Sequence, residues 1–375
     1  MKILFTGGGS GGHFYPIIAI AESIKEISEK KHLVSPSLFF IAPEAYNQDI
    51  LSENKIIFKK SSAGKARRYF SLLNIIDLFK TLWGIIKSVG IVFSIYPDVI
   101  FGKGGFGSFP TLFAAKILRI PVVIHESDSV PGRVNLWASK FARRIAISWK
   151  EAAEYFPQEK TAYTGQPVRK EFKKILKEGA REFLKLEEKT PIILILGGSL
   201  GSQLINDHLV SALGELVKKY QVIHQTGKNN LDEVTERAEV VLENNPNKAR
   251  YHAFDYLNNM ALRMSAGASD LIVSRAGSTI FEIASWNKPS IIIPITDSNG
   301  DHQRKNAFNY ERSGACSVVE EINLTSNILV SEINRILENP TVAEKMTSSA
   351  KNFAKPDAAD KIAEEILNIA LEHER

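Results

Sequence analysis

The chain has 375 residues, a length typical of two domains, and 44% of its residues are hydrophobic and 24% charged. These proportions argue against a disordered, collagen-like or coiled-coil chain. The one cysteine, Cys316, excludes an intrachain disulfide framework and a cysteine-rich zinc site, and it favours a reducing compartment. The net charge of +5 permits an anionic partner without identifying one.

Neither a membrane span nor a signal peptide is predicted. A spanning helix needs about 20 apolar residues in a row, and Lys87 interrupts the longest candidate, residues 82–96. Residues 3–5 lead straight into glycines, which predicts the first strand of a fold rather than a signal sequence. We therefore expect a protein that is made and kept in the cytoplasm.

A short apolar strand, a glycine cluster and a helix recur along the chain. Residues 3–5 lead to the glycines of 7–12 and a helix from about residue 16 to 27. Residues 192–196 lead to 197–201 and a helix from about 203 to 218. Smaller copies lie at 98–118 and 271–286. Strands that alternate with helices form parallel sheets through right-handed crossovers, so the sequence predicts two similar α/β domains.

Turn and breaker residues at 156–170 predict the join between the two halves. The expected domains are residues 1–164 and 165–355. Residues 356–375 are expected to form a C-terminal helix that packs back on the first domain.

The first glycine cluster predicts an anion-binding loop followed at once by a histidine. Glycines let a backbone approach a ligand, and a helix N-terminus attracts anions. Gly7, Gly9 and Gly12 have the dinucleotide-fingerprint spacing, but the fingerprint also requires an acidic residue about 20 positions later at the end of the second strand. The nearest candidate there, Glu44, is 32 residues after Gly12. His13 follows and titrates near neutral pH, so it is a candidate base for a hydroxyl proton. The alternative is a surface histidine without a role.

Four further polar clusters follow predicted strands or open predicted helices. The turn at 197–199 and the small residues 274–279 offer amides and hydroxyls to a diphosphate, and Glu282 can accept hydrogen bonds from ribose hydroxyls. Residues 301–303 favour sugar recognition, because one histidine and one carboxylate make a poor metal site. Residues 125–128 can hold an acceptor or assist a base. For each cluster the alternative is a packing turn or a solvated polar segment.

Residues 55–96 combine basic and apolar side chains with a single acid, Asp77. A helix that packs on a core needs only one apolar stripe, whereas apolar residues occupy most positions of residues 70–86. A basic surface that carries aromatic residues suits an anionic bilayer, so this stretch predicts membrane docking. The alternative is an ordinary buried helix with a basic flank.

Together these motifs resemble the MurG family of transferases, which add N-acetylglucosamine to undecaprenyl-pyrophosphoryl-N-acetylmuramoyl-pentapeptide in peptidoglycan synthesis. The set spans nearly the whole chain in the order of the family. It consists of residues 8–13, 102–105, 125–126, 165–169, 197–199, 274–277 with Glu282, and 301–303.

The resemblance implies a GT-B fold, which is α/β with two Rossmann-like domains whose parallel sheets flank a deep interdomain cleft. It implies UDP-N-acetylglucosamine and the lipid-linked acceptor as substrates, with no cofactor, metal or nucleic acid. It also implies a peripheral position on the cytoplasmic face of the cell membrane, at an anionic surface. Catalysis would fall on His13 and Glu126. The implied donor contacts are Ser10, Gly11, Gly12, Asp128, Arg169, Ser199, the backbone of Leu257, Gly277, Ser278, Thr279, Ile280, Phe281, Glu282 and Gln303.

The chain departs from the family pattern at two places. Ser127 and Asp128 stand where the family commonly has Gln and Asn, and a carboxylate cannot donate an amide's hydrogen bonds. Gln166 stands where the family often has Asn. Three alternatives to the implied activity remain: a GT-B glycolipid transferase with another acceptor, a dinucleotide-dependent oxidoreductase, and a non-catalytic protein that binds a sugar nucleotide or a lipid.

Overall fold

The computed structural model describes residues 1–64, 73–198 and 200–373. The chain divides into two units: unit 1 is Met1–Arg169 with Lys355–Arg375, and unit 2 is Lys170–Ala354. Each unit is built on one parallel sheet, as the alternation of apolar runs with glycine turns predicts.

Unit 1 contains a sheet of seven parallel strands. They are β1 (Lys2–Thr6), β2 (Ser37–Ala42), β3 (Ile56–Lys60), β4 (Val99–Gly102), β5 (Val122–Glu126), β6 (Arg144–Ile147) and β7 (Thr161–Tyr163). Their spatial order is β3-β2-β1-β4-β5-β6-β7. The order reverses between β1 and β4, and the loops after such a pair of strands usually form the ligand crevice. These loops are residues 7–10 and 103–105.

Helices cover both faces of this sheet. Those before the unit boundary are α1 (Gly11–Lys30), α2 (Gln48–Glu53), α3 (Leu73–Ile95), α4 (Phe109–Leu118) and α5 (Arg133–Ala138), with 3-10 turns at Phe106–Ser108, Lys150–Tyr155 and Gln158–Lys160. α1 begins before the predicted start near residue 16, because the Ser10 carbonyl accepts the N–H groups of both His13 and Phe14 at 3.0 Å. The candidate base therefore lies inside the first helical turn.

Unit 2 repeats the plan with six parallel strands. They are β8 (Ile192–Leu196), β9 (Gln221–Gln225), β10 (Tyr251–Phe254), β11 (Leu271–Ser274), β12 (Ser290–Ile292) and β13 (Cys316–Val318). The order is β10-β9-β8-β11-β12-β13, which reverses between β8 and β11 as unit 1 reverses between β1 and β4. Residues 197–201 follow β8, and the turn at 275–278 follows β11.

The helices of unit 2 begin with short segments and end with two long amphipathic ones. They are α6 (Lys170–Lys173), α7 (Ala180–Phe183), α8 (Gln203–Leu216), α9 (Leu231–Val241), α10 (Asn259–Ala268), α11 (Thr279–Ser285), α12 (His302–Arg312), α13 (Ser326–Leu337) and α14 (Pro340–Phe353), with 3-10 turns at Lys248–Arg250, Asn299–Asp301 and Glu321–Asn323. Side-chain caps start α8, α10, α13 and α14, where Ser202, Asn258, Thr325 and Asn339 each accept a first-turn N–H.

The C-terminal helix α15 (Ala358–His373) belongs to unit 1 and packs against α1 and β4. Its apolar side, which includes Ile362, Ile366 and Ile369, is buried in the same core as the apolar side of α1. Two surface ion pairs, Arg143 with Glu372 and Arg144 with Glu365, connect α15 to the start of β6.

The boundary between the units lies at residues 169/170, five residues after the predicted boundary at 164/165. Hydrogen bonds attach the intervening residues to unit 1. The Gly165 carbonyl accepts from His125 Nε2 at 3.1 Å, and Gln166 Oε1 accepts from Ser148 Oγ at 2.9 Å. Lys355, which was predicted to end the second domain, also lies in unit 1, where its ammonium is 5.6 Å from the centre of the Tyr163 ring.

Candidate functional site

The glycine loop of unit 1 places His13 against backbone. A Cβ built on Gly105 would lie 2.9 Å from Gly8 Cα and 3.3 Å from His13 Nε2. Gly105 has φ +77, a conformation that favours glycine. On its other side the imidazole contacts Ser10, whose Oγ is 2.7 Å from His13 Nδ1. Two glycines and one serine therefore fix the position of the imidazole.

His13 is neutral at pH 7. Burial, together with the nearby ammonium of Lys103, lowers the pKa of His13 to about 4, although the carboxylate of Asp128 opposes both effects. In one tautomer Nδ1–H donates to Ser10 and Nε2 carries a lone pair. That form can accept a proton.

Glu126, the second predicted catalytic residue, is held by three hydrogen bonds. Its Oε1 accepts the Asp128 N–H at 3.0 Å, and its Oε2 accepts the Gly132 N–H at 3.0 Å and Asn135 Nδ2 at 2.9 Å. Burial raises the pKa of Glu126, and the carboxylate of Asp128 adds to the rise. These bonds occupy both carboxylate oxygens and order the segment after β5, which favours an orienting role for Glu126 over that of a base.

A buried polar network connects the ends of β4, β5 and β6. The ammonium of Lys103 donates to Ser127 Oγ, which donates to Gln166 Oε1 at 3.1 Å. Ser148 Oγ donates to the same oxygen at 2.9 Å and lies 3.2 Å from His125 Nε2. Ser127, where the family commonly has Gln, is thus a member of an ordered network.

The remaining predicted residues of unit 1 lie around the start of α1. Gly11 and Gly12 form its first turn, and Asp128 is partly buried on the loop after β5. The Arg169 guanidinium lies 4.1 Å from the centre of the ring of Tyr15, a residue of α1. The structure therefore gathers Ser10, Gly11, Gly12, His13, Glu126, Asp128 and Arg169 at one end of the unit 1 sheet.

In unit 2 the turn between β11 and α11 is open to a ligand at its glycine. No heavy atom lies within 4 Å of a Cβ built on Gly277, apart from its chain neighbours. Ser278 precedes the first residue of α11, and Glu282 lies one turn into the helix, partly exposed. Asn306 holds the turn from beneath, because its Nδ2 donates to the Ala276 carbonyl at 3.3 Å.

Arg275, inside the same turn, has a structural environment. Its guanidinium donates to Ser202 Oγ at 2.5 Å and to the Ile293 carbonyl at 3.1 Å, and it forms an ion pair with Glu321 at 2.7 Å. The arginine thus braces the turns after β8, β11 and β12 against one another. Sequence analysis did not identify this brace, because its partners are distant in the chain.

Two other predicted donor contacts are built into the unit 2 loops. Gln303 Oε1 accepts the Ile295 N–H at 3.1 Å. The Leu257 side chain is buried, and its N–H donates to Gln225 Oε1 at 3.0 Å, so a ligand contact there falls to the carbonyl. Ser199 lies outside the described residues. In the described parts of the chain, no group of three or more His, Cys, Asp or Glu side chains could hold a metal ion.

A second feature of unit 1 is the outer face of α3. Phe79, Trp83, Ile86 and Phe93 follow one helical stripe and are 61–66% exposed. The opposite stripe is buried and contains small residues, such as Ser88, whose Oγ is 2.8 Å from Ser61 Oγ. By length and composition the helix Ile75–Ile95 could cross a membrane, although sequence analysis rejected a span because of Lys87. Most of the large apolar side chains of α3 thus face outwards.

Two family profiles match the chain. The N-terminal domain of glycosyltransferase family 28 matches residues 3–147, and the C-terminal domain of that family matches residues 192–362. Among curated proteins, the chain is 37% identical over 368 residues to the UDP-N-acetylglucosamine–N-acetylmuramyl-(pentapeptide) pyrophosphoryl-undecaprenol N-acetylglucosamine transferase 2 of Bacillus cereus, covering 97% of this chain and 99% of that protein. It is 36% identical to the transferase of that name from Clostridium novyi, covering 94% and 95%.

Solved structures share the fold at lower identity. The Acinetobacter baumannii MurG structure has a TM-score of 0.73 at 23% identity and covers 98% of this chain and 99% of that one. The UDP-GlcNAc 2-epimerase of Neisseria meningitidis, bound to UDP-GlcNAc, has a TM-score of 0.67 at 18% identity and covers 98% and 100%. With the two parallel sheets, these similarities confirm the predicted GT-B class of two Rossmann-like domains.

Proposed function

The chain belongs to glycosyltransferase family 28, among the MurG-type N-acetylglucosaminyltransferases, and we propose that it transfers N-acetylglucosamine from UDP-N-acetylglucosamine to the muramoyl-pentapeptide of pyrophosphoryl-undecaprenol. The observation that carries this function is the 37% identity to a transferase of that name over 97% of the chain. The enzyme is a glycosyltransferase, as predicted.

The UDP moiety of the donor is assigned to unit 2. The open turn at Gly277 offers backbone N–H groups to a diphosphate, and amides preorganised around a leaving group stabilise the charge that develops on it. Glu282, partly exposed one turn later, accepts hydrogen bonds from ribose hydroxyls. Gln303 and the Leu257 carbonyl complete the set of unit 2 contacts, together with Ser199.

The acceptor side is assigned to the cluster at the start of α1. The acceptor's sugar hydroxyl attacks the anomeric carbon opposite the leaving UDP, so the configuration at that carbon inverts. His13 accepts the hydroxyl proton at Nε2, which requires the tautomer whose Nδ1–H donates to Ser10. Glu126 orders the loop that carries Asp128. Ser10, Gly11, Gly12, Asp128 and Arg169 are proposed to contact the donor from this unit.

The outer face of α3 is proposed to rest on an anionic membrane, which makes this a peripheral enzyme of the cytoplasmic membrane face. Monomeric soluble proteins rarely expose a continuous stripe of large apolar side chains, and such a stripe marks a membrane or a partner surface. Lys80 is 59% exposed beside it, and a basic border favours anionic lipid. A membrane position also suits an enzyme whose acceptor is anchored in lipid.

The activity is tested with labelled UDP-N-acetylglucosamine and lipid-linked muramoyl-pentapeptide in detergent micelles. We expect label in the lipid fraction and release of UDP in equal amounts. Diacylglycerol in matched micelles is the control acceptor. Transfer to diacylglycerol but not to the muramoyl lipid would identify a glycolipid transferase with another acceptor. Donor binding without transfer to either lipid would contradict an enzymatic role.

A further inference from the structure

Lys103 is a buried charged residue to which the transfer chemistry above gives no role. It follows β4, and only 1% of its surface is exposed. Within the described part of the chain, its ammonium donates a hydrogen bond to Ser127 Oγ. A charge removed from water is costly unless opposite charges and hydrogen bonds compensate it, so the surroundings of Lys103 have to be specific.

Those surroundings contain the groups proposed for proton transfer. A Cβ built on Gly7 would lie 3.5 Å from Lys103 Cβ and 3.6 Å from His13 Cβ, so the two side chains flank one glycine. The carboxylates of Glu126 and Asp128 compensate the ammonium from the end of β5. Lys103 thus neighbours the candidate base and interacts with both of these acids.

The hydrogen-bond network fixes where the ammonium lies. Ser127 uses its hydrogen to donate to Gln166 Oε1 at 3.1 Å, so its oxygen lone pair is available to receive Lys103 Nζ–H. Gln166 is 4% exposed and also accepts from Ser148. Because buried neighbours hold each member, the charge cannot swing away from the site as a surface lysine would.

The polar and charged groups around His13 come from three segments. They are the Ser10 hydroxyl at the start of α1, Lys103 after β4 and Asp128 after β5. The ammonium disfavours a protonated imidazole, and the carboxylate favours it. Both substrates of the proposed reaction carry diphosphates, whose negative charge also favours the protonated form when it is nearby. A protonated His13 has no lone pair to accept the acceptor's proton.

We propose that Lys103 is a positioning residue for the transfer, whose buried ammonium opposes protonation of the His13 imidazole and so supports the neutral form that accepts the proton. It acts through His13 and through the ordered loop after β5. The proposal rests on the proposed function for its kinetic consequence, whereas the electrostatic coupling of Lys103 to His13 is measurable without any substrate.

The test is the titration of His13 in the intact protein, followed by NMR of histidine labelled at Cε1. The chain has 8 histidines, and His13→Gln identifies the signal. Lys103→Met removes the charge and keeps most of the stem. We expect the pH midpoint of the His13 titration to rise by roughly one unit, the order of effect that removing a nearby like charge has on an ionisable group. The pH below which kcat declines should rise by a similar amount.

Lys116→Met, a lysine of the same unit on α4, is the matched control and should leave the His13 midpoint unchanged. Lys103→Gln also removes the charge and can keep a hydrogen bond to Ser127, so it replaces the Met variant if that fails to fold. A folded charge-removing variant whose His13 midpoint matches the control would overturn the proposal. If the midpoint moves but His13→Ala retains normal turnover, the coupling stands and the proposed base role fails instead.

Discussion

His13 is held by Ser10, Gly8 and Gly105, so replacing it should change chemistry more than structure. A positioned general base contributes about 10²–10⁴-fold in rate. We expect His13→Ala to lower kcat by at least about two orders of magnitude with donor affinity little changed, and His13→Gln not to restore it. Steady-state kinetics with calorimetric donor binding checks this. Near-normal turnover in His13→Ala would move the base role to Glu126 or Asp128, and an equal loss of donor affinity would make His13 a binding residue.

Glu282 tests the donor assignment at a residue whose loss should not disturb the core. It is partly exposed on the first turn of α11, while Ile280 and Phe281 beside it are buried. Hydrogen bonds to a charged group contribute about 1.5–3 kcal/mol, so Glu282→Ala should weaken UDP binding by roughly ten- to a hundredfold. Isothermal calorimetry measures the affinity, with Glu344→Ala on α14 as a control. Unchanged affinity would remove Glu282 from the site.

Among the elements of unit 1, the glycine loops that follow β1 and β4 pack against each other backbone to backbone. Gly105→Ala would place a methyl 2.9 Å from Gly8 Cα at φ +77, which forces the loops apart and moves the His13 ring. We expect a lower urea midpoint and a kcat reduced by at least tenfold. Gly132→Ala is the control, since nothing lies within 4 Å of a Cβ there. Equal behaviour of the two variants would show that the close approach is unimportant.

The α3 face yields a prediction about lipid rather than catalysis. Burying one large apolar side chain contributes about 1.5–3 kcal/mol, so Phe79→Ser or Trp83→Ser should lower binding to anionic vesicles by roughly tenfold or more each. Val34→Ser, which changes another exposed apolar residue of unit 1, is the control. Vesicle co-sedimentation at low salt measures the effect, and wild-type protein that ignores such vesicles would refute membrane docking.

The sequence makes a related prediction on basic residues of the stretch 55–96. Replacing Lys65, Arg67 and Arg68 by Ser should weaken vesicle binding by about 1 kcal/mol per residue, and added salt should have the same effect. These three residues lie outside the described residues.

Across the chain, three histidines with lowered pKa values make stability depend on pH. Burial lowers the pKa of His13 to about 4 and that of His224 to about 3, and it lowers the pKa of His125 well below the ordinary value. Below about pH 6.5 the unfolded chain binds protons at these positions and the folded chain does not. Stability contributed by the neutral form is therefore lost as pH falls from about 6.5 toward 4.

Glu126 works in the opposite direction, since its pKa is raised in the folded state, but it is one group against three. The urea concentration at the midpoint of unfolding should therefore fall steadily as the pH is lowered from 7 to 6 and to 5. The control variant His32→Gln, at an exposed position, should show the same fall in the urea midpoint. A midpoint that does not change between pH 7 and 5 would refute the prediction.

The fold class and the order of the motifs could be predicted from sequence, because strand, glycine turn and helix are local patterns that repeat in each half. The same patterns led to His13, Glu126 and the turn at Gly277. The unit boundary at 169/170, the three hydrogen bonds on Glu126 and the burial of Lys103 became visible only in the folded chain. They depend on the sheet order, which joins the ends of β1, β4, β5 and β6 although their residues are far apart in sequence. Hydrogen bonds and desolvation between such residues depend on that order, which no local pattern encodes.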